Sequence, residues 1–387
     1  MLVIWLIVAS LVSTSIAVLV LWAKGVGIDF WDAALAYLGG FGFPTVVILL
    51  FDSFMVKEKP SQEGGTAAMA RTSEYANLVK HMVVKDPPAG LYPEKRVWME
   101  SRDLEGFNAH FSFGFVKEPV TFHPMEGALV HPFDELLVFE GTDQSSILKL
   151  GAEVSIELGE EREEYVFNEP TVVLIPKGTP HGPATVRSLE RPIVHYSIGL
   201  GPEYKAETIP AADLKPKTTG TTYAKYLKKM VTTVNYDPNA VGSGMGYESV
   251  IGRDGIMRPA DKGVGPGNGD QIVWLYGSDL EGFDINFTWG FYSRCGKWHR
   301  GGEAHTHPEA EILCFVGLDE NNLDYLGAEL EMAMGPDYER HVFNTPTVAI
   351  CPGGFPHLPL ITRWVDKPYG FFVICLSGEH ASPWVEA

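Results

Sequence analysis

Hydrophobic and polar positions divide the chain into three stretches. Residues 2–21, LVIWLIVASLVSTSIAVLVL, carry no charge. As a helix they span about 30 Å, the thickness of a bilayer core. Nothing basic precedes them, whereas a cleaved signal peptide has a basic start and a shorter apolar stretch. A second uncharged run, AALAYLGGFGFPTVVILLF at 33–51, follows a short loop that holds Lys24 and Asp29 and is flanked by Trp22, Phe30 and Trp31. This pattern predicts a two-helix transmembrane hairpin over 1–56. The other reading of the second run is a buried soluble helix. Lys57, Lys59, Arg71 and Lys80 follow the second run, which by the positive-inside rule predicts an integral membrane chain with its body in the cytoplasm. Residues 57–73, beginning KEKPSQEGG, read as a flexible linker.

The remaining chain changes period. Short apolar and aromatic runs such as FNAHFSFGF, ELLVFEG, AEVSIEL and PTVVLIP alternate with turn signals. Their length and β-branched content predict strands, and their spacing an all-β sandwich or barrel. Only 70–83 and 222–231 read as helical.

The strand pattern occurs twice. DLEGFNAHFSFGF at 103–115 matches DLEGFDINFTWGF at 279–291, and VFNEPTVVLIPKGTPHGP at 166–183 matches VFNTPTVAICPGGFPHLP at 342–359, both at an offset of 176. EYANLVKHMV at 74–83 pairs with TYAKYLKKMV at 222–231 at an offset of 148. The repeats are expected over 74–205 and 222–380. The second holds a glycine-rich insertion within 240–270, either a solvated loop or a lid or subunit contact.

Charge narrows the functional classes. With 49 acidic and 30 basic residues the formal net charge is −19, which argues against nucleic acid as a partner. The four cysteines, at 295, 314, 351 and 375, form no CxxC pair. They read as small buried residues in strands rather than a disulfide framework.

The chemistry concentrates in the second copy. GGEAHTHPEAEILCFVG at 301–317 and PGGFPH at 352–357 supply His305, His307, Glu311 and His357. On a strand, His305 and His307 share a face, Glu311 returns to it, and His357 comes from a separate strand. Three imidazoles and one carboxylate suit a divalent transition metal. Fe or Mn is favoured, with Ni, Co or Zn as alternatives, and an octahedral ion keeps two open positions. In the first copy Leu129 replaces His305, leaving His131, Glu135 and His181. These form either a second, three-donor metal site or a degenerate one. His123 and His299 match at the same offset and are candidate extra ligands, groups behind the ligands or proton shuttles. Arg294 and Arg300 are candidate clamps for a substrate carboxylate.

The two motifs resemble those of the cupin superfamily: glycine, His-x-His, glutamate and glycine, then Pro-x-Gly-x-x-His. The paired copies, over roughly 75–380, resemble a bicupin. The resemblance implies two tandem cupin-type β-sandwich barrels, with metal ligands at His305, His307, Glu311 and His357. It leaves the reaction open, because one fold hosts many functions. The first expectation is a membrane-anchored, mononuclear, dioxygenase-like enzyme acting on a small molecule. The second is a non-catalytic ligand-binding or sensory subunit of a membrane complex, and the third a structural subunit. A homo-oligomer fits each of them.

Overall fold

The computed structural model describes residues 73–230, 249–251, 257–259, 270–298 and 304–379. Both repeats fall in one compact unit, Arg71–Ala387. Every strand pairing between named strands is antiparallel. The offset seen in the sequence is kept strand for strand. Glu135–Gly141 and Glu311–Gly317 are equivalent, as are His110–Val116 and Asn286–Tyr292, His181–Leu189 and His357–Val365, and Ile193–Gly199 and Tyr369–Cys375.

Each repeat is a two-sheet sandwich. In the first, a large sheet runs Leu227–Lys229, Thr171–Ile175, Glu135–Gly141, Ile193–Gly199, His110–Val116, Arg96–Met99 and Val84–Lys85. Its smaller partner contains Ala128–Val130, His181–Leu189, Ala152–Leu158 and Glu163–Phe167. The second repeat repeats this plan, with Thr347–Cys351, Glu311–Gly317, Tyr369–Cys375, Asn286–Tyr292 and Gln271–Leu275 in its large sheet.

The strands of the large sheets read as unbroken apolar runs because both their faces are buried. Along Glu135–Gly141, Leu137 and Phe139 point into the first sandwich, with Phe122, Val154 and Ile156. Leu136 and Val138 point the other way, into a core shared by the two repeats. There Tyr196 stacks on Phe372 at 4.8 Å and packs against Trp289 at 5.7 Å, and Phe111 meets Phe372 edge-on at 5.6 Å.

The expected helices at 70–83 and 222–231 are replaced by single 3-10 turns, Ala76–Leu78 and Ala224–Tyr226, each leading directly into a strand. The reason is tertiary. Val79–His81 pairs with Thr347–Cys351 of the second repeat, and Leu227–Lys229 with Thr171–Ile175 of the first. Each segment covers the open edge of the opposite sheet and satisfies its backbone groups, which outweighs a weak helical preference. Met82 N–H donates to the Pro346 carbonyl at 2.9 Å and Met230 N–H to Pro170 at 2.8 Å.

Three cysteines, Cys314, Cys351 and Cys375, are buried as expected, but Cys295 is exposed, and all four are free. The insertion within 240–270 falls mostly outside the described residues. Two short strands, Ser249–Ile251 and Met257–Pro259, pair within it. The integral membrane localisation is corrected: among the described residues no helix is long and apolar enough to cross a membrane. The runs at 2–21 and 33–51, on which it rested, lie outside the described residues.

Candidate metal centres

Inside the second sandwich, Glu311 opens the strand Glu311–Gly317 and His357 opens His357–Val365. His305 and His307 lie on the approach to Glu311 rather than within its strand. Their position is set by backbone: His305 and His357 exchange two N–H to C=O bonds of 3.1 Å, and Gly354 N–H donates to the His307 carbonyl at 2.6 Å. Donor atoms of the four side chains lie within 4.8 Å of one another. His305 Nε2 to His307 Nε2 is 3.0 Å, His307 Nε2 to Glu311 Oε1 3.0 Å, and His357 Nε2 to Glu311 Oε1 2.8 Å. All four residues are buried.

The first sandwich holds a matching cluster, of four donors rather than three. His131, Glu135 and His181 are joined by His123, again within 4.8 Å. The three imidazole Nε2 atoms stand 3.1, 3.3 and 3.4 Å from Glu135 Oε2. Leu129 keeps the backbone place of His305, pairing with His181, but its side chain joins the apolar core of the sandwich.

Hydrogen bonds outside the first cluster fix which ring nitrogens carry protons. His131 Nδ1 faces the Lys205 carbonyl at 2.6 Å and His181 Nδ1 the Thr179 carbonyl at 3.1 Å. Carbonyls only accept, so both Nδ1 atoms donate. For His123 the argument runs through a chain. His195 Nδ1 donates to the Val138 carbonyl at 2.9 Å, so in the neutral ring His195 Nε2 accepts. It accepts from the Tyr92 hydroxyl at 3.1 Å, and that oxygen accepts from His123 Nδ1 at 2.9 Å. Each neutral ring therefore turns an Nε2 lone pair toward the Glu135 carboxylate. Lone pairs at that range repel unless a proton or cation lies between them. His131 Nε2 and His181 Nε2 are buried with no hydrogen-bond partner. His357 shows the same arrangement in the second cluster, with Nδ1 3.1 Å from the Phe355 carbonyl. Donors about 2.1 Å from a shared ion lie about 3 Å apart when adjacent, so both clusters fit a divalent metal.

The charges agree. Burial pushes Glu311 up, but the imidazoles of His307 and His357 outweigh it and hold the carboxyl well below its usual range. Glu135 is likewise held down, against burial, by the positive charge that His123 and His131 present to it when they carry a second proton. Burial drives His123 down to about 4 despite Glu135, keeping it neutral at physiological pH. For His131 burial acts downward, but Glu135 and the Lys205 carbonyl prevail and raise it.

Of the other candidates, Arg294 is half-exposed and its Nε pairs with Asp270 at 3.2 Å. His299 and Arg300 lie outside the described residues. The sequence reading passed over Tyr92, Arg96, Glu140 and His195. A signal existed for two of them: at the repeat offset His195 faces Phe371 and Glu140 faces Val316, so each polar side chain stands where its copy is apolar.

No family model matches the sequence, and no curated protein does. Solved structures of oxalate decarboxylase from Bacillus subtilis resemble the chain distantly. One at pH 4.6 shares 12% identity, covers 84% of this chain and 80% of that one, and gives a TM-score of 0.47. Another, from work on the Mn(II) centres of that enzyme, shares 12% over 84% and 81% with a TM-score of 0.45. So remote a likeness carries no argument about activity.

Proposed function

We propose that the chain is a bicupin metalloenzyme acting on a small molecule, with His305, His307, Glu311 and His357 as its working centre. The observation that carries this reading is the convergence of three imidazoles on one ionised, buried carboxylate in each sandwich. A bound divalent ion would supply Lewis acidity and open positions for substrate oxygen atoms, and, if it is iron, a place for dioxygen. The chain's own residues do the rest. The backbone bridge between His305 and His357 sets two donors at fixed separation. The Phe355 carbonyl holds the His357 ring with Nε2 turned inward.

Elemental analysis of the purified full chain, followed by oxygen consumption with added Fe(II) and candidate small substrates, tests the proposal. Bound metal and turnover that both fall in Glu311→Ala support it. Absence of metal overturns it, and metal without turnover across metals and substrates favours a binding module instead.

A further inference from the structure

Arg96, in the strand Arg96–Met99, is 4% exposed. Its Cζ lies 3.7 Å over the Tyr92 ring, and Nη2 donates to the His195 carbonyl at 2.6 Å. Its Nε is buried with no hydrogen-bond partner, and among the described residues no carboxylate pairs with it. A guanidinium does not give up its proton, so a buried one needs a counter-charge. The nearby acids are engaged elsewhere: Glu94 with Lys117 at 3.0 Å, and Asp86 with Lys95 at 3.7 Å.

The surroundings leave space for that counter-charge. Arg96, Tyr92, Gly114, Val116, Val120 and Phe122 line a cavity of about 70 Å³. Gly114 keeps the neighbouring strand clear: a Cβ there would stand 3.1 Å from Arg96 Cβ and 3.8 Å from its Nε. The exposed rim is formed by Glu94, Lys95 and Lys117.

We infer that this cavity is a binding site for a small monovalent oxyanion, a short carboxylate, held by Arg96 as its counter-charge. The guanidinium fork matches a planar carboxylate, and a cavity of this size suits a short one. The aromatic and aliphatic walls strengthen the pairing by excluding water. The site does not depend on the metal clusters, although Tyr92 forms part of its wall and also bonds His123.

The test is thermal unfolding of the full chain in EDTA, so that no metal can hold the anion. Sodium acetate is titrated at constant ionic strength against sodium gluconate, a carboxylate too large for the cavity. Mass action predicts a saturating rise in Tm with acetate for the wild-type chain. Arg96→Met should lose that rise. Val120→Trp, which fills the cavity and leaves the guanidinium in place, should lose it too and decides the matter if the first variant does not fold. No acetate-dependent rise in the wild-type chain, or an equal rise in Val120→Trp, overturns the proposal.

Discussion

In the second sandwich His305 and His357 face each other across a two-bond backbone bridge, and both rings enter the cluster. In the first, Leu129 and His181 hold the same places, but Leu129 turns into the apolar core and His123 arrives from the end of the strand Val120–Phe122. The donor types are the same; one of them has moved. His123 adopts a positive φ of 50°, a conformation that costs a side-chain-bearing residue about 1 kcal/mol or more. Its carbonyl also crowds position 182, where a Cβ would meet that oxygen at 2.3 Å. The residue there is Gly182, whereas its copy is Leu358, which holds a similar φ of 77° with a full side chain. The backbone angle itself tolerates leucine, so what calls for glycine at position 182 is the close approach of the His123 carbonyl.

The largest test moves the ligand back. His123→Ala should lower metal affinity at the first cluster at least tenfold, since even losses behind the ligands cost 10–100-fold. It should leave the second cluster loaded. His307→Ala should do the reverse, each read as ions per chain by elemental analysis. The double variant His123→Ala with Leu129→His restores the arrangement of the second copy and should recover metal. A double variant as empty as the single one would mean that the first pocket no longer admits a ligand from position 129. Uptake at both clusters should weaken below about pH 6, where free imidazoles bind protons.

Gly182→Leu presses on the same point from the other side. It installs the residue of the second copy and forces the His123 carbonyl to move. Overpacking of this kind costs about 1–3 kcal/mol, so Tm should fall together with first-cluster metal. An equal loss from Gly182→Ala would support a simple Cβ clash. A neutral Gly182→Leu would contradict the close approach.

How much of this was legible follows from where the signals lie. Strands, repeat and second cluster could be read because the motif is contiguous and the alternation regular. The first cluster could be read in part: the repeat offset singles out His123 as a candidate extra ligand close before His131, but nothing in the sequence shows that its ring, rather than a residue at position 129, completes the set around Glu135. The exchanged edge strands were hidden for a similar reason: Val79–His81 and Leu227–Lys229 are made strands by the opposite repeat. Arg96 and Tyr92 carry no local signal, since their partners are backbone atoms and rings from other strands.

The shared core supplies a further contrast. Both oxygens of Glu140 are buried with no hydrogen-bond partner among the described residues, and burial raises its pKa well above the usual carboxylate value. Tyr196 and Cys314 are the titratable groups coupled there, and burial raises both of them as well. The second copy has Val316 at this place. Below about pH 4 both folded and unfolded chains keep the proton on Glu140. As pH rises toward the folded value, only the unfolded chain releases it, so stability falls. Glu140→Val should stabilise by about 1–3 kcal/mol near neutral pH and by less in acid, as measured by denaturant unfolding across pH. A gain independent of pH would mean that Glu140 is not the titrating group.

The smallest effect separates holding a ligand from being one. Tyr92 is not a donor to the first cluster; its hydroxyl accepts from His123 Nδ1 and donates to His195 Nε2. Removing it leaves His123 in place but frees its ring to turn and to exchange tautomers. Tyr92→Phe should therefore weaken first-cluster metal binding about tenfold, at the low end of the range for such supports, and leave the second cluster untouched. The buried phenol also packs against Phe122 at 5.7 Å, and phenylalanine preserves that contact. The signature of a positioning role is a shifted pH dependence of metal uptake at the first cluster, because the chain through His195 no longer fixes which nitrogen of His123 bears the proton. A Tyr92→Phe protein with unchanged affinity and an unchanged pH profile would show that His123 is oriented by its backbone and by Gly182 alone.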